Sequence, residues 1–153
     1  MSIFNSLNTS ASALTSQRLR MDVISANMAN AESTRARFVN GEWQPYRRKM
    51  VVMQPNEKQP FAAHLHNAMS QSSHSSVGNG VKVSAIVEDQ TPFKLVYNPE
   101  HPDANEEGYV QMSNVDPLRE MVDLMSATRS YEANVTTLNA SKNMLMKALE
   151  IGR

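Results

Sequence analysis

The sequence predicts an α+β fold in which long N- and C-terminal helices pair as a coiled coil and a small β-rich domain is inserted between them. Two observations predict the helices: residues 3–31 and 118–151 contain no Gly or Pro, and both carry apolar residues at heptad spacing. A third observation predicts the middle domain. Residues 35–112 hold four of the five glycines and six of the seven prolines, between short runs typical of strands.

The composition excludes several functional classes. The 153 residues include 15 basic and 15 acidic side chains, whereas nucleic-acid binders normally carry a basic excess. Without cysteine there is no disulfide, thiolate nucleophile or zinc–thiolate site. The sequence contains neither a run of 18 apolar residues nor a cleavable secretory signal. We therefore expect no nucleic-acid partner and no membrane insertion, and we expect any export to use a route that does not cleave such a signal.

The first element is a helix within an N-terminal segment, residues 1–34. Leu7, Leu14, Met21 and Met28 recur every seven residues. Ser, Thr and Asn are abundant between them, and these residues compete for backbone hydrogen bonds. Because most helical stability comes from packing, we predict that this helix is weak in isolation.

The second segment, residues 35–113, is expected to be β-rich. Asn79-Gly80 is a strong turn signal and is consistent with a hairpin. Residues 98–103 are expected to be a loop, and the Ser- and His-rich residues 64–76 a flexible one. Strands are predicted over residues 46–53, 81–87, 92–97 and 109–112.

The C-terminal segment, residues 114–153, carries the strongest pattern. Its apolar residues follow alternating three- and four-residue steps over about four heptads. A helix of about 35 residues is roughly 50 Å long, which is longer than a globule of this size usually needs. The heptad positions either form only the internal core of a helix pair or also pack against other subunits. We favour assembly, with an interface made of Leu7, Leu14, Met21, Ile24, Asn27, Met28, Asn30, Met121, Leu124, Tyr131, Asn134, Val135, Leu138, Leu145 and Leu149.

Signatures of enzymes and metal sites are weak. His64, His66 and His74 lie in the predicted loop, and no carboxylate or cysteine stands at a known ligand spacing. The sequence has no GxSxG, no glycine-rich phosphate loop and no HExxH. We expect no catalytic activity, no cofactor and no metal. The basic residues between Arg35 and Lys49 are interpreted as a solvated face, with an acidic partner or a phosphate as the alternative.

Three blocks of sequence carry a family resemblance. They are SANMANA at residues 25–31, the segment 81–109, and residues 114–153 with RSYEAN and KALEIGR. In these blocks the chain resembles bacterial flagellar basal-body rod proteins of the proximal-rod, FlgC type. The Asn-rich block is similar to a motif shared by rod, hook and hook-associated proteins. Residues 32–35, ESTR, replace the Thr-Pro-Gly-Tyr type turn of many axial proteins and are similar to the proximal-rod branch.

The resemblance implies a structural subunit of the flagellar drive shaft. It would assemble helically through its terminal helices, transmit motor torque and line the export channel in the periplasmic rod. The implied partners are other proximal-rod proteins, the adapter between rod and rotor ring, the rotor (MS) ring and the flagellar type III export apparatus. The alternative is a soluble coiled-coil export chaperone or adaptor that stays in the cytoplasm.

Overall fold

A computed structural model describes residues 3–39, 41–56 and 80–151. Within these residues, two long helices, α1 (Ile3–Ala29) and α2 (Pro117–Ile151), flank six strands. The strands are β1 (Arg37–Val39), β2 (Glu42–Gln44), β3 (Lys49–Pro55), β4 (Val81–Glu88), β5 (Lys94–Tyr97) and β6 (Tyr109–Met112). The predicted α+β class, with terminal helices around a β-rich middle, is confirmed.

The two helices pack antiparallel. Asn27 near the end of α1 contacts Glu120 near the start of α2, and the Met21 sulfur lies 3.6 Å from the Thr128 hydroxyl. Moving back along α1 therefore corresponds to moving forward along α2. The predicted pairing of the two terminal helices is confirmed, and its direction is antiparallel.

Local capping explains where the helices begin and end. Asp116 accepts a hydrogen bond of 3.2 Å from the backbone N–H of Leu118, and Pro117 occupies the first helical position, where its missing N–H costs nothing. At the end of α1, the Asn30 side chain donates to the carbonyl of Ala26 at 2.8 Å. The next backbone bonds, from Ala31 to Met28 and from Ser33 to Asn30, span three residues instead of four, so α1 ends at Ala29 rather than at the predicted residue 31.

In the described part of the chain, the strands form three separate antiparallel pairs, β1–β2, β3–β4 and β5–β6. The longest pair, β3–β4, runs from Lys49 opposite Glu88 to Pro55 opposite Val81 and contains an irregularity between Val52 and Met53. Three of the predicted strands match β4, β5 and β6 to within two residues. The strand predicted at residues 46–53 begins three residues later, because residues 46–48 turn towards the helices instead.

The pair β1–β2 was not predicted. Its two strands have only three residues each, which gives too little alternation to recognise. The sequence nevertheless holds a signal at residues 40–41, Asn-Gly, which favours a tight hairpin. Gly41 has a φ of +91°, a backbone conformation that glycine adopts without strain.

Gly80 lies against α1 rather than in a two-residue hairpin. It precedes β4 with a φ of +78°, while the paired strand β3 ends at Pro55. The Ser12 hydroxyl accepts a hydrogen bond of 3.1 Å from the N–H of Val81, and a Cβ at Gly80 would collide with that hydroxyl. Asn79, the predicted loop at residues 64–76 and its three histidines lie outside the described residues.

Candidate functional site: the junction between the helices and the strands

A group of polar side chains joins both helices to the strands, and we call it the junction cluster. The apolar core around it is small: among the described residues, the buried apolar side chains are Val23, Ile24, Pro45, Val110, Val115 and Ala127. Polar contacts therefore carry much of the connection between the elements. The junction cluster consists of Asn27 in α1, Arg48 before β3, Asp89 after β4, Asn114 after β6, and Glu120 and Asp123 in α2.

Arg48 is the positive centre of the junction cluster. Its Nε donates to Glu120 Oε1 at 2.6 Å, and one terminal nitrogen lies 3.2 Å from a carboxylate oxygen of Asp123. The other terminal nitrogen lies 3.8 Å from Asp89. Glu120 is fully buried and Arg48 is 8% exposed. Charges removed from water in this way need both a partner and hydrogen bonds, and these two side chains have both.

Asn27 connects α1 to the same cluster. Its side-chain nitrogen donates to Glu120 at 3.0 Å and to the carbonyl of Lys49 at 2.9 Å. Its oxygen accepts from the N–H of Lys49 at 2.9 Å and from the Tyr46 hydroxyl at 3.2 Å. These four bonds use the whole hydrogen-bonding capacity of the amide. Burial, and secondarily the charges of Glu120 and Glu88, raise the pKa of Tyr46, which keeps its hydroxyl protonated as a donor.

Asn114 connects the segment before α2 to two strands. Its oxygen accepts from the N–H of Arg48 at 2.7 Å. Its nitrogen donates to the carbonyl of Asp89 at 3.2 Å and to the Thr91 hydroxyl at 3.0 Å. The hydrogen bond from the backbone N–H of Thr91 is the main cause of a lowered pKa for Asp89; the Thr91 hydroxyl and the charge of Arg48 lower it further. Asp89 therefore stays ionised beside the guanidinium of Arg48.

A second attachment, at Asp103, joins the chain after α1 to the loop between β5 and β6. Asp103 accepts from the Thr34 hydroxyl at 2.8 Å and forms an ion pair with Arg35. The pKa of Asp103 is lowered, mainly by the hydrogen bond from Arg35 and next by the hydrogen bond from the Thr34 hydroxyl. The backbone N–H of Asp103 donates to His101 Nδ1 at 3.1 Å, which orders the loop further.

The interpretation of the basic residues as a solvated face is wrong for Arg48, which is buried. Arg35 pairs with Asp103, and the guanidinium of Arg47 lies 4.5 Å from the centre of the Phe93 ring. These contacts join elements that are far apart in sequence, which a scan of neighbouring residues cannot reveal.

The residues predicted for an assembly interface differ in burial. Ile24 and Asn27 are buried, while Met121 and Leu149 are 44% and 73% exposed. Assembly contacts at these positions stay a prediction, and the hydrogen bonds of Asn27 are already complete within the subunit. The half-buried members are Leu7, Leu14, Met21, Met28, Asn30, Leu124, Tyr131, Asn134, Val135, Leu138 and Leu145.

Small polar side chains along the helices bond back to their own helix. The hydroxyls of Thr128, Thr136 and Thr137 each donate to the carbonyl four residues earlier at 2.9 Å, and the Asn134 amide does so at 2.8 Å. This pattern satisfies the donors locally. These side chains therefore make the helix surface more polar without adding charge to it.

Within the described part of the chain, no helix is long and apolar enough to cross a bilayer, and no three His, Asp or Glu side chains are grouped so that they could hold a metal ion.

Comparison with known proteins gives consistent matches at both ends of the chain. Residues 7–37 match the family described as flagella basal body rod protein, and residues 106–151 match the C-terminal family of flagellar basal body rod FlgEFG proteins. These two matches cover most of α1 and all of α2. They define the class: a flagellar basal-body rod protein.

Relatives that match over nearly the full chain identify the family within this class. The chain is 64% identical over 153 residues to the flagellar basal-body rod protein FlgC of Bacillus subtilis, covering all of both chains. It is 43% identical over 153 residues to FlgC of Escherichia coli O157:H7, again over both full lengths. It is 40% identical to FlgC of Borreliella burgdorferi over 161 residues, which cover 99% of this chain and 98% of that one. The chain belongs to the FlgC family of flagellar basal-body rod proteins.

Proposed function

We propose that this chain is a structural subunit of the flagellar proximal rod and that it assembles helically through α1 and α2. The observation that carries the proposal is the antiparallel pairing of two long terminal helices in a chain that is 64% identical, over its full length, to a flagellar rod protein. A pair of helices of roughly 50 Å is a stiff element. Such an element suits a shaft that transmits motor torque and surrounds an export channel.

The uneven packing of the helices supports a coupling of folding to assembly. The buried apolar residues of the helices, Val23, Ile24 and Ala127, lie near the junction cluster. Farther away, Leu7 and Leu138 are only half-buried. Burying a leucine-sized side chain completely contributes roughly 1.5–3 kcal/mol, so packing against neighbouring subunits would stabilise these parts of the helices. Such a chain is suited to export in an unfolded state.

The three segments 1–34, 35–113 and 114–153 have separate roles in this proposal. The first and third supply the helices of the inner layer, and the second supplies the β-rich outer part. The junction cluster supports this division because it fixes the strands to both helices through Arg48 and Asn27. Torque applied to the outer part would then pass to the helix pair without a flexible linker.

The partners follow from the position of a rod in the basal body. Membership of the FlgC family implies other rod components as partners. We extend this to the adapter between rod and rotor ring, the MS ring and the type III export apparatus. We also propose a periplasmic location reached without a cleaved signal peptide, and a structural rather than catalytic role. The alternative of a cytoplasmic coiled-coil chaperone or adaptor is not supported, since the named relatives are rod proteins.

Complementation and fractionation test the proposal. This chain would be expressed in a Bacillus subtilis strain that lacks its own FlgC, and swimming would be scored alongside the protein content of purified basal bodies. We expect motility to return and the chain to be recovered with the rods. A chain that remains in the cytoplasm as a folded species, in cells that stay non-motile, would overturn the proposal.

A further inference from the structure

A cleft with excess positive charge lies between the hairpin β1–β2 and the start of β3, and we call it the basic cleft. It has a volume of about 250 Å³, and Glu88 is the one carboxylate among its described lining residues. Its three cations are Arg37, Arg47 and Lys49. Within the described ranges, none of the three forms an ion pair, although Arg35 and Arg48 in the same segment both do. Three cations against one carboxylate leave an excess of two positive charges.

Aromatic rings hold two of these cations in place without neutralising them. The Arg47 guanidinium lies 4.5 Å from the centre of the Phe93 ring, and the Lys49 ammonium lies 5.4 Å from the centre of the Tyr46 ring. Tyr46 is itself fixed by its hydrogen bond to Asn27, which also bonds to the backbone of Lys49. Because these cations are already positioned, an anionic group that enters the basic cleft would lose little free energy to ordering them.

The turn between β5 and β6 presents two adjacent carboxylates, and we call it the acidic turn. Glu106 and Glu107 occupy the central positions of a turn closed by a hydrogen bond of 2.9 Å from the N–H of Gly108 to the carbonyl of Asn105. The Asn105 side chain also accepts from the N–H of Glu107 at 3.2 Å and from that of Tyr109 at 2.8 Å. Both glutamates are exposed, and neither forms an ion pair with a described residue. The two carboxylates match the excess charge of the basic cleft in number and are opposite in sign.

We propose that the acidic turn of one copy of this chain enters the basic cleft of the next copy in the rod. The inference rests on the proposed function and adds to it a contact between the β-rich parts. Within one copy the two surfaces lie apart. The N–H of Arg48, next to Lys49, is bonded to Asn114 beyond the end of β6, whereas Glu107 precedes the start of β6. Glu107 and Asn114 are seven residues apart across this strand, or roughly 20 Å at the rise of a strand.

Charge complementarity selects a second copy as the occupant of the basic cleft. The chain has no net charge, so the excess positive charge of the cleft is balanced elsewhere on the same chain, and the acidic turn supplies two of the balancing charges. The two surfaces differ, so the contact is heterologous and can repeat along an open helical array. Exposed ion pairs add little affinity, but they fix register and exclude placements in which like charges meet. The contact would therefore set how neighbouring β-rich parts are placed around the rod.

Carbodiimide coupling tests the contact in the unaltered chain, because the reagent joins a lysine amine directly to a carboxylate, with loss of water and no spacer. Basal bodies would be purified from the Bacillus subtilis strain in which this chain replaces FlgC, then treated and digested for mass spectrometry. We expect a cross-linked peptide that joins Lys49 to Glu106 or Glu107. Lys49→Arg is the matched control: it keeps the positive charge but lacks the reactive amine, so rods should form and this cross-link should disappear.

Co-expression of two variants shows whether the link joins two copies. One variant carries Lys49→Arg, and the other carries Glu106→Gln with Glu107→Gln, so neither can form the link within itself. We expect rods that contain both variants to yield a cross-linked product of twice the 17.1 kDa mass of the chain.

An exchange of charges tests whether the contact matters for assembly. Arg37→Glu with Lys49→Glu would place acidic groups against the acidic turn, and Glu106→Lys with Glu107→Lys would place basic groups against the basic cleft. We expect either pair to reduce swimming and the yield of rods by about tenfold, because like charges then meet, and all four substitutions together to restore most of both.

Four outcomes would overturn the inference. The first is rods that contain the chain but give no link between Lys49 and the acidic turn. The second is a link that forms in the unaltered chain but not between the two co-expressed variants, because it would then lie within one copy. The third is a link from Lys49 to a different rod protein in place of a second copy. The fourth is a chain with all four charges exchanged that stays as impaired as either pair alone. Failure of the proposed function is distinct, since the unaltered chain would then be missing from basal bodies.

Discussion

Arg48 and Glu120 form the most buried ion pair of the junction cluster. Glu120 is fully buried, and its carboxylate oxygens accept from Arg48 at 2.6 Å and from Asn27 at 3.0 Å. Removal of the guanidinium would leave a buried carboxylate without its counter-charge. The free-energy cost of that unpaired buried carboxylate would weaken the attachment of the strands to the helices.

We predict that Arg48→Met lowers the free energy of unfolding by about 3–5 kcal/mol, the usual cost of breaking a buried ion pair. Urea unfolding followed by far-UV circular dichroism measures it. Arg47→Met is the matched control: it removes the neighbouring positive charge, which lies over the Phe93 ring, and should cost about 1 kcal/mol. Equal effects of the two substitutions would contradict the assigned role of Arg48.

The ion pair at Asp103 predicts a pH dependence. Arg35 and Thr34 lower the pKa of Asp103 in the folded chain, so protonation favours the unfolded state. The stabilisation is fully present above the ordinary aspartate pKa of about 3.9 and is lost as pH falls through the lowered folded value. Asp103→Asn should therefore destabilise the chain near pH 7 and make little difference at about pH 2. Thermal unfolding of both chains across pH measures this; a difference independent of pH would argue against it.

Of all the structural features, the contacts of individual side chains were the least predictable from the sequence. Asn27 drew attention as part of an Asn-rich motif, yet its four hydrogen bonds stay within the subunit. Arg48 and Glu120 are 72 positions apart, and both belong to segments whose patterns indicate solvent-exposed charges. Whether a charge is buried depends on which elements meet around it, and local periodicity does not contain that information.

At the scale of elements, heptad spacing predicted the helices well because a long repeat averages over local exceptions. The bounds Ile3–Ala29 and Pro117–Ile151 differ from the predicted ones by at most two residues. Short elements gave too few residues for the same averaging. The strands Arg37–Val39 and Glu42–Gln44 were missed for that reason.

The middle of α2 supports a prediction about assembly. Leu138 is half-buried on the face of α2 that packs on α1, whereas Asn139 beside it is exposed. Leu138→Asp would place an unpaired charge in that apolar contact, which is far more costly than the loss of a methyl group. We expect rod assembly and motility to be lost while secretion continues. Swimming assays and immunoblots of secreted protein test this, with Asn139→Asp as the control that adds the same charge outside the contact.

At the scale of the whole molecule, packing is concentrated at one end. The junction cluster and the buried residues Val23, Ile24 and Ala127 hold the last part of α1 against the first part of α2. Towards the other end the leucines are half-buried or, as at Leu149, exposed, and the buried side chains of α1 there are the small Ser10 and Ser16. A chain packed in this way has one end that is stable alone and one end whose helices gain stability from neighbours.

Hydrogen exchange compares the two ends directly. In the dilute monomer we expect amides near Ile24 and Ala127 to be protected. Amides of residues 4–8 and 136–151 should exchange quickly, because no buried side chain lies in either range. In purified basal bodies both regions should be protected, since neighbouring subunits would then cover the half-buried leucines. Mass spectrometry of labelled peptides reads each region separately. Uniform protection along both helices in the monomer would mean that the subunit is complete before it assembles, and coupled folding would have to be abandoned.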